Sequence, residues 1–263
     1  MKYRSLLAVS LLLAAGPALA TSCEESFAKK GNPFTGTTYS AWVSLPDLSV
    51  KSAIGQMHVV AKEAGMDILS EDADAGSMLI EEPETMAHKP LPMIISAANE
   101  GGVGTVTMLL KLNKGAFASG DGVRTEMCKM LAQLKPGTAG DQFAGKQIAV
   151  APTAIAAGKL GFQLENQAKD NLAAIEPRYK DKQFIISGRV NGPVLKSGGT
   201  YNMGFELYDG DRYGQVAISC AFAANQAAYA LTLKPREKVA LSGTFDHFDQ
   251  IGRVFWLKEC RGS

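Results

Sequence analysis

Histidine is scarce in this chain of 263 residues, with only His58, His88 and His247. None stands one helical turn from another, so the paired imidazoles of a helix-borne zinc hydrolase are missing. No Cys-x-x-Cys pair occurs, which removes the usual spacing of metal-binding and redox cysteines. The formal net charge is only +1, far from the basic footprint of a nucleic-acid binder. Beyond the N-terminal segment, no stretch approaches the ~18 uninterrupted apolar residues that a membrane-spanning helix needs.

The N-terminal segment has a clear pattern. Lys2 and Arg4 precede an apolar run from Leu6 to Ala15, and Ala18-Leu19-Ala20 offers a small-residue cleavage site. This is the layout of a secretory signal peptide cut after Ala20, which predicts a periplasmic protein. Ala20-Thr21-Ser22-Cys23 lacks the Leu and the small residue that precede a lipidated Cys, so no lipid anchor is expected. All four cysteines, Cys23, Cys128, Cys220 and Cys260, follow the cut. An even count in an exported chain favours disulfides. Pairing Cys23 with Cys128 and Cys220 with Cys260 is preferred among three connectivities, because each bridge then stays within one proposed domain. The second would contribute roughly 3–4 kcal/mol in chain-entropy terms.

Two domains are expected. Residues 21–135 form the first, 136–163 a linker rich in small residues with little apolar periodicity, and 164–263 the second. Residues 24–135 carry 10 Lys and Arg against 14 Asp and Glu, and residues 165–263 carry 13 against 11. In the first domain, Thr37 to Leu45 reads as a strand ended by Pro46. Val50, Ala53, Ile54, Met57, Val60, Ala61 and Ala64 then line one face of a helix that Asp47 or Ser49 caps and Gly65 stops. Two hairpins follow, Met66 to Ser70 with Ser77 to Glu82, and Pro92 to Asn99 with Gly104 to Leu112. A helix from Asp121 to Leu134 closes the set. The class is α+β, with helices on one face of an antiparallel sheet.

The second domain begins with a helix around Leu164 to Ile175, ended by Pro177. Period-two alternation then marks strands at Phe184 to Val190, Tyr201 to Leu207 and Val216 to Phe222. A short helix at Asn225 to Leu231 leads to strands at Val239 to Phe245 and Val254 to Lys258. Three strands, a helical link and two strands are the parts of an all-β, five-stranded OB-fold barrel. Tyr179-Lys180-x-Lys182-x-Phe184-x-x-x-Gly188-x-Val190, Cys220-Ala221-Phe222, Leu233 leading to Lys238-Val239-Ala240-Leu241-Ser242-Gly243, and Leu257-Lys258-Glu259-Cys260 resemble the exported bacterial OB-fold family called tRNA_anti-like. The resemblance spans about residues 165–262. It departs at Lys234-Pro235-Arg236-Glu237, where relatives turn on a glycine. It implies a fold rather than tRNA binding, and brings no catalytic residues.

Catalytic patterns are thin. Ser26-Phe27-Ala28-Lys29 has Ser-x-x-Lys spacing, but the companion motifs of such hydrolases are absent. Glu71-Asp72-Ala73-Asp74-Ala75-Gly76 places its glycine at the fifth position, which breaks a calcium loop and leaves a solvated hairpin turn. Gly101-x-x-Gly104 and Gly198-Gly199 read as turns. His58 is expected on the helix surface. The chain therefore reads as a non-enzymatic binding module without a cofactor, its partner an envelope protein, a peptide or a glycan rather than nucleic acid. The face of the second and third barrel strands and its flanking loops point to Tyr201, Tyr208, Arg212, Tyr213, His247 and Phe248 as binding candidates. A periplasmic inhibitor or immunity protein, contacting its target through the acidic turn, is the alternative, and a hydrolase a distant one.

Overall fold

The computed structural model describes residues 22–83, 90–207 and 216–262. They build two sheet-rich units with helices, each around its own apolar cluster. In the first unit, strands β1 (Ala28–Asn32), β2 (Gly36–Pro46), β3 (Asp67–Asp72), β4 (Ser77–Glu82), β5 (Leu91–Glu100) and β6 (Val103–Leu112) pair antiparallel throughout, in the order β1-β2-β6-β5-β4-β3. Alternation along β6 sends Val106, Met108, Leu110 and Leu112 inward and leaves Thr105, Thr107 and Leu109 half-buried on the other side. Helices α1 (Cys23–Ser26), α2 (Val50–Glu63), α3 (Gly120–Leu131) and α4 (Gly137–Ala144) complete the unit. Ile54, Met57 and Val60 of α2 and Met127 and Leu131 of α3 share the inward cluster.

Of the two candidate caps, Ser49 serves α2 by accepting the Ser52 N–H. Its partner in the expectation, Asp47, adopts a left-handed φ of +53°. Cys23 bonds Cys128, tying α1 to α3.

The segment expected as a linker, 136–163, instead holds α4, strand β7 (Thr153–Ala156) and the first half of α5 (Ala157–Asn171). Gly, Ala and Thr gave it almost no periodic pattern. Phe143 of α4 packs on the apolar cluster and Ala144 lies close against Gly55 of α2, while fully buried Gln56 donates to the Lys135 carbonyl at 2.9 Å and accepts the Lys135 N–H at 2.8 Å, which fixes the chain where it enters the helix. β7 runs parallel to β8 (Gln183–Ser197), with α5 in the crossover between them.

Pro177 does not end a helix. It lies inside the short α6 (Ile175–Tyr179), which follows a 3-10 turn at Leu172–Ala174. In a first helical turn the proline's missing N–H costs nothing, because that group has no intrahelical partner. The remaining elements are β9 (Thr200–Glu206), β10 (Ala217–Phe222), α7 (Ala227–Thr232), β11 (Lys238–Asp249) and β12 (Val254–Gly262). They form a mixed sheet in the order β11-β12-β10-β9-β8-β7, and β11 also pairs with β8. The pairings therefore return on themselves through five strands, with β10 and β12 parallel. Cys220 bonds Cys260 across those two parallel neighbours. Two glycines of the quoted motif allow close approach: a Cβ on Gly188 would come within 2.9 Å of Phe205 and 3.0 Å of Ala157, and one on Gly243 within 2.9 Å of the Cys260 sulfur.

At Lys234-Pro235-Arg236-Glu237 the chain makes a turn closed by Glu237 N–H to the Lys234 carbonyl at 3.1 Å. Pro235 stands second, and Arg236, third, takes a left-handed φ of +66°, the place a type II turn reserves for glycine. Arg236→Gly should therefore stabilise by about 0.5–1 kcal/mol, the left-handed penalty relieved less the entropy cost of glycine. A urea midpoint that falls would show that the arginine is not strained.

The two units meet through ions. Asp67 and Glu81 face each other directly across β3 and β4, both buried, a like-charge pairing that is unfavourable by itself. Arg178 of α6 donates through Nε at 2.9 Å and through Nη2 to Glu81, and its Nε lies 4.0 Å from Asp67. Lys182 bonds Asp67. Removing Arg178 leaves a buried carboxylate unpaired, so Arg178→Ala should cost about 3–5 kcal/mol, whereas Arg178→Met with Glu81→Leu should recover most of the loss. Urea unfolding of the three proteins checks this; equal losses in the single and double variants would refute it.

Candidate functional site

Tyr208, Arg212 and Tyr213 lie outside the described residues, as does His88. The other three candidates separate. Tyr201 shares the inward parity of Met203 and Phe205 on β9 and packs, half-buried, against the core, with Lys196 Nζ 5.3 Å from its ring. Phe248 is no surface residue: it is 4% exposed and belongs to the core cluster. The cause is an irregularity in the β11–β12 ladder between Phe245 and His247. One extra residue there turns Asp246 and His247 outward in succession and returns Phe248 to the interior. His247 alone of the three stands on the outer surface.

Its neighbours were not foreseen. His247 pairs with Trp256 across β11 and β12, their rings 6.1 Å apart and nearly parallel at 15°. Trp256 lies opposite Ser219, Ser219 opposite Gly204, and Gly204 opposite Asn191. The row crosses five strands, high at the aromatic end and low over the small Ser219 and Gly204. Trp256 was legible only as an outward position between Phe255 and Leu257, both fully buried. The small residues carried no signal, since their role depends on which strands become neighbours.

Polar groups border this face. Asp246 holds His247 Nδ1 at 2.8 Å and Lys258 Nζ at 3.1 Å. At the β11–β12 turn, Asp249 accepts the N–H groups of Ile251 and Gly252, each at 3.0 Å, and Ile251 is 98% exposed. Ala217 N–H donates to the Arg253 carbonyl at 2.8 Å, so this turn stands beside the start of β10. Glu206 Oε2 and Arg253 Nε are buried without hydrogen-bond partners among the described residues.

The other motifs are structurally occupied. Ser26 Oγ donates to the Trp42 carbonyl at 2.6 Å and accepts the Trp42 N–H at 2.8 Å, while Lys29 Nζ stands 5.6 Å from the Tyr39 ring. In the acidic turn, Glu71 pairs with partly exposed His58 at 2.6 Å, Asp72 accepts the Ala75 N–H at 2.8 Å, and Asp74 lies 3.6 Å from Lys51. Among the described residues, no group of three His, Cys, Asp or Glu side chains gathers to hold a metal ion. Among them, no helix is long and apolar enough to cross a membrane.

No family model matches this chain, and no curated protein matches it. One solved structure, a "putative nucleic acid-binding lipoprotein" from Klebsiella pneumoniae subsp. pneumoniae MGH 78578, aligns over 49% of this chain and 99% of its own at 18% identity, with a TM-score of 0.33. A likeness of that size carries no argument. The two disulfides, by contrast, are what an exported protein carries.

Burial works against the charge of Asp246, but hydrogen bonds from His247 and Lys258 and the adjacent Lys258 charge hold its carboxyl below the ordinary value. A lowered folded-state value adds stability that is present above the unfolded value, near pH 3.9, and is lost as pH falls through the folded one. The gain is small, because all three side chains are more than a third exposed. Asp246→Asn should therefore lower the urea midpoint at about pH 6 and match the parent at about pH 2. A gap that is the same at both would remove the carboxylate from the account.

Proposed function

We propose that this chain is an exported, non-enzymatic binding protein of the bacterial cell envelope, resident in the periplasm, which engages its partner across the outer face of the closed five-strand ring. The observation that carries the reading is the row from His247 and Trp256 over Ser219 and Gly204. Stacked aromatics stand in one row with small residues on this face, and an aromatic anchor is the kind of group that supplies interface energy. The ring is read as an OB barrel. Its pairing order, its parallel β10 and β12, and α7 between the third and fourth strands support that reading, as does the tRNA_anti-like resemblance of residues 165–262. In such barrels the second and third strands, here β9 and β10, carry the binding face.

The partner class is an envelope protein, a peptide or a glycan. Nucleic acid is placed outside it because residues 165–263 balance 13 Lys and Arg against 11 Asp and Glu, too little excess for a phosphate-binding surface. Absence of a lipid anchor is supported by Cys23, whose sulfur is bonded to Cys128 and so cannot also form a thioether.

Affinity capture from envelope extract, with the mature oxidised protein and a His247→Ala, Trp256→Ala variant in parallel, tests the reading. The expected outcome is a partner retained by the parent and reduced at least about tenfold by the variant, the loss of one hot-spot anchor. A partner held equally by both removes this face from the binding site. Failure to capture any partner sinks the macromolecular reading.

A further inference from the structure

A cavity of about 340 Å³ opens between the two units, lined from both. Its charged lining sets three cations, Lys62, Arg178 and Lys182, against one carboxylate, Asp67. Arg178 and Lys182 reach it already paired with Glu81 and Asp67. Lys62, half-buried in the last turn of α2, has no ion-pair partner among the described residues. Arg178 keeps Nη1 buried without a hydrogen-bond partner among the described residues. From α5, Gln167 accepts the Tyr179 hydroxyl at 3.0 Å through its amide oxygen, which leaves its NH2 group to donate. Gln163 stands beside it, one helical turn away. Met66, Val150, Ile155, Leu160 and Phe184 add apolar side chains to the lining, Leu160 from the same face of α5 as the two glutamines.

A partly buried cation without a counter-ion is costly to desolvate, and an anion entering the cavity would settle Lys62 and accept from the glutamine amides together. The apolar wall would be covered only by a ligand with a hydrocarbon body. The volume lies at the lower end of the ~300–1,000 Å³ of small-ligand pockets, which favour domain interfaces. We propose that this cavity binds a small carboxylic acid with an apolar body. Its carboxylate is held by Lys62 with Gln163 and Gln167, and its tail lies against Ile155, Leu160 and Phe184. The site is distinct from the outer face of the ring and bears on neither its aromatics nor its partner. Because both units contribute walls, an occupant binds the folded, docked state alone and raises its stability by mass action.

Octanoate is the probe, with octan-1-ol as the neutral counterpart and acetate as the anion without a tail. Each is titrated calorimetrically into the mature oxidised protein and followed in parallel by thermal unfolding. The expected result is saturable one-to-one binding of octanoate with a rising Tm, and binding at least tenfold weaker for octanol and acetate. Lys62→Ala should weaken octanoate at least tenfold while leaving the ligand-free Tm near the parent's, and Gln163→Leu should weaken it in the same direction. Absence of saturable octanoate binding overturns the proposal. So does octanol binding as tightly as octanoate, or octanoate binding that both variants leave unchanged. The readout is occupancy by a small acid rather than capture of a macromolecule, so a negative result here leaves the outer-face reading standing, and the converse holds.

Discussion

The opposition of Asp67 and Glu81 across two neighbouring strands is the constraint on which the arrangement of the whole molecule depends. Two buried carboxylates in direct register repel, and within the first unit no cation is bonded to either among the described residues. The charges that answer them, Arg178 and Lys182, come from the other unit. Helix α6 makes this possible because it has two jobs at once. Ile175 and Tyr179 enter the ring core, where the Tyr179 ring meets Phe255 edge-on at 5.0 Å, while Arg178 turns outward to Glu81. The sheet of one unit is thereby locked to a helix of the other, and the cavity beside them is lined by Asp67, Arg178 and Lys182 of the same ion cluster.

Parity decides the surface of the ring. A strand alternates faces, so a single inserted residue moves every later side chain to the opposite side. The irregularity in β11 puts Asp246 and His247 outside together and keeps both Phe245 and Phe248 in the core. That step places His247 beside Trp256 and Asp246 beside Lys258. The disulfide between Cys220 and Cys260 lies under the same strands, with Gly243 pressed against its sulfur. The outer face is thus supported from below by a covalent link between the two strands that carry Ser219 and Trp256.

Much of this was legible where apolar residues keep a strict period. The hairpins of β3 with β4 and β5 with β6, the buried face of α2, and the strands β8 to β10 all declared themselves by alternation or by three-and-four spacing. Helix α4 and strand β7 did not, because Gly, Ala and Thr bury little apolar area and pack by close approach instead. Pro177 was misread as a stop because a proline forbids only the helix interior, and α6 is too short to have one. Phe248 looked like a loop aromatic because period two predicts a face only while the register is unbroken, and the bulge lies two residues before it.

By itself the sequence determined the two sheet-rich units, their periodic elements, and a set of four cysteines spaced so that each unit can close one bridge. Those are local or compositional properties, written in residue type and spacing. Tertiary structure alone decided that Asp67 and Glu81 meet Arg178 and Lys182, that His247 meets Trp256, and that Lys62 reaches a cavity between the units. Each of those meetings joins residues from separate elements, and nothing in one chain records which strands will be neighbours until the core has chosen their register.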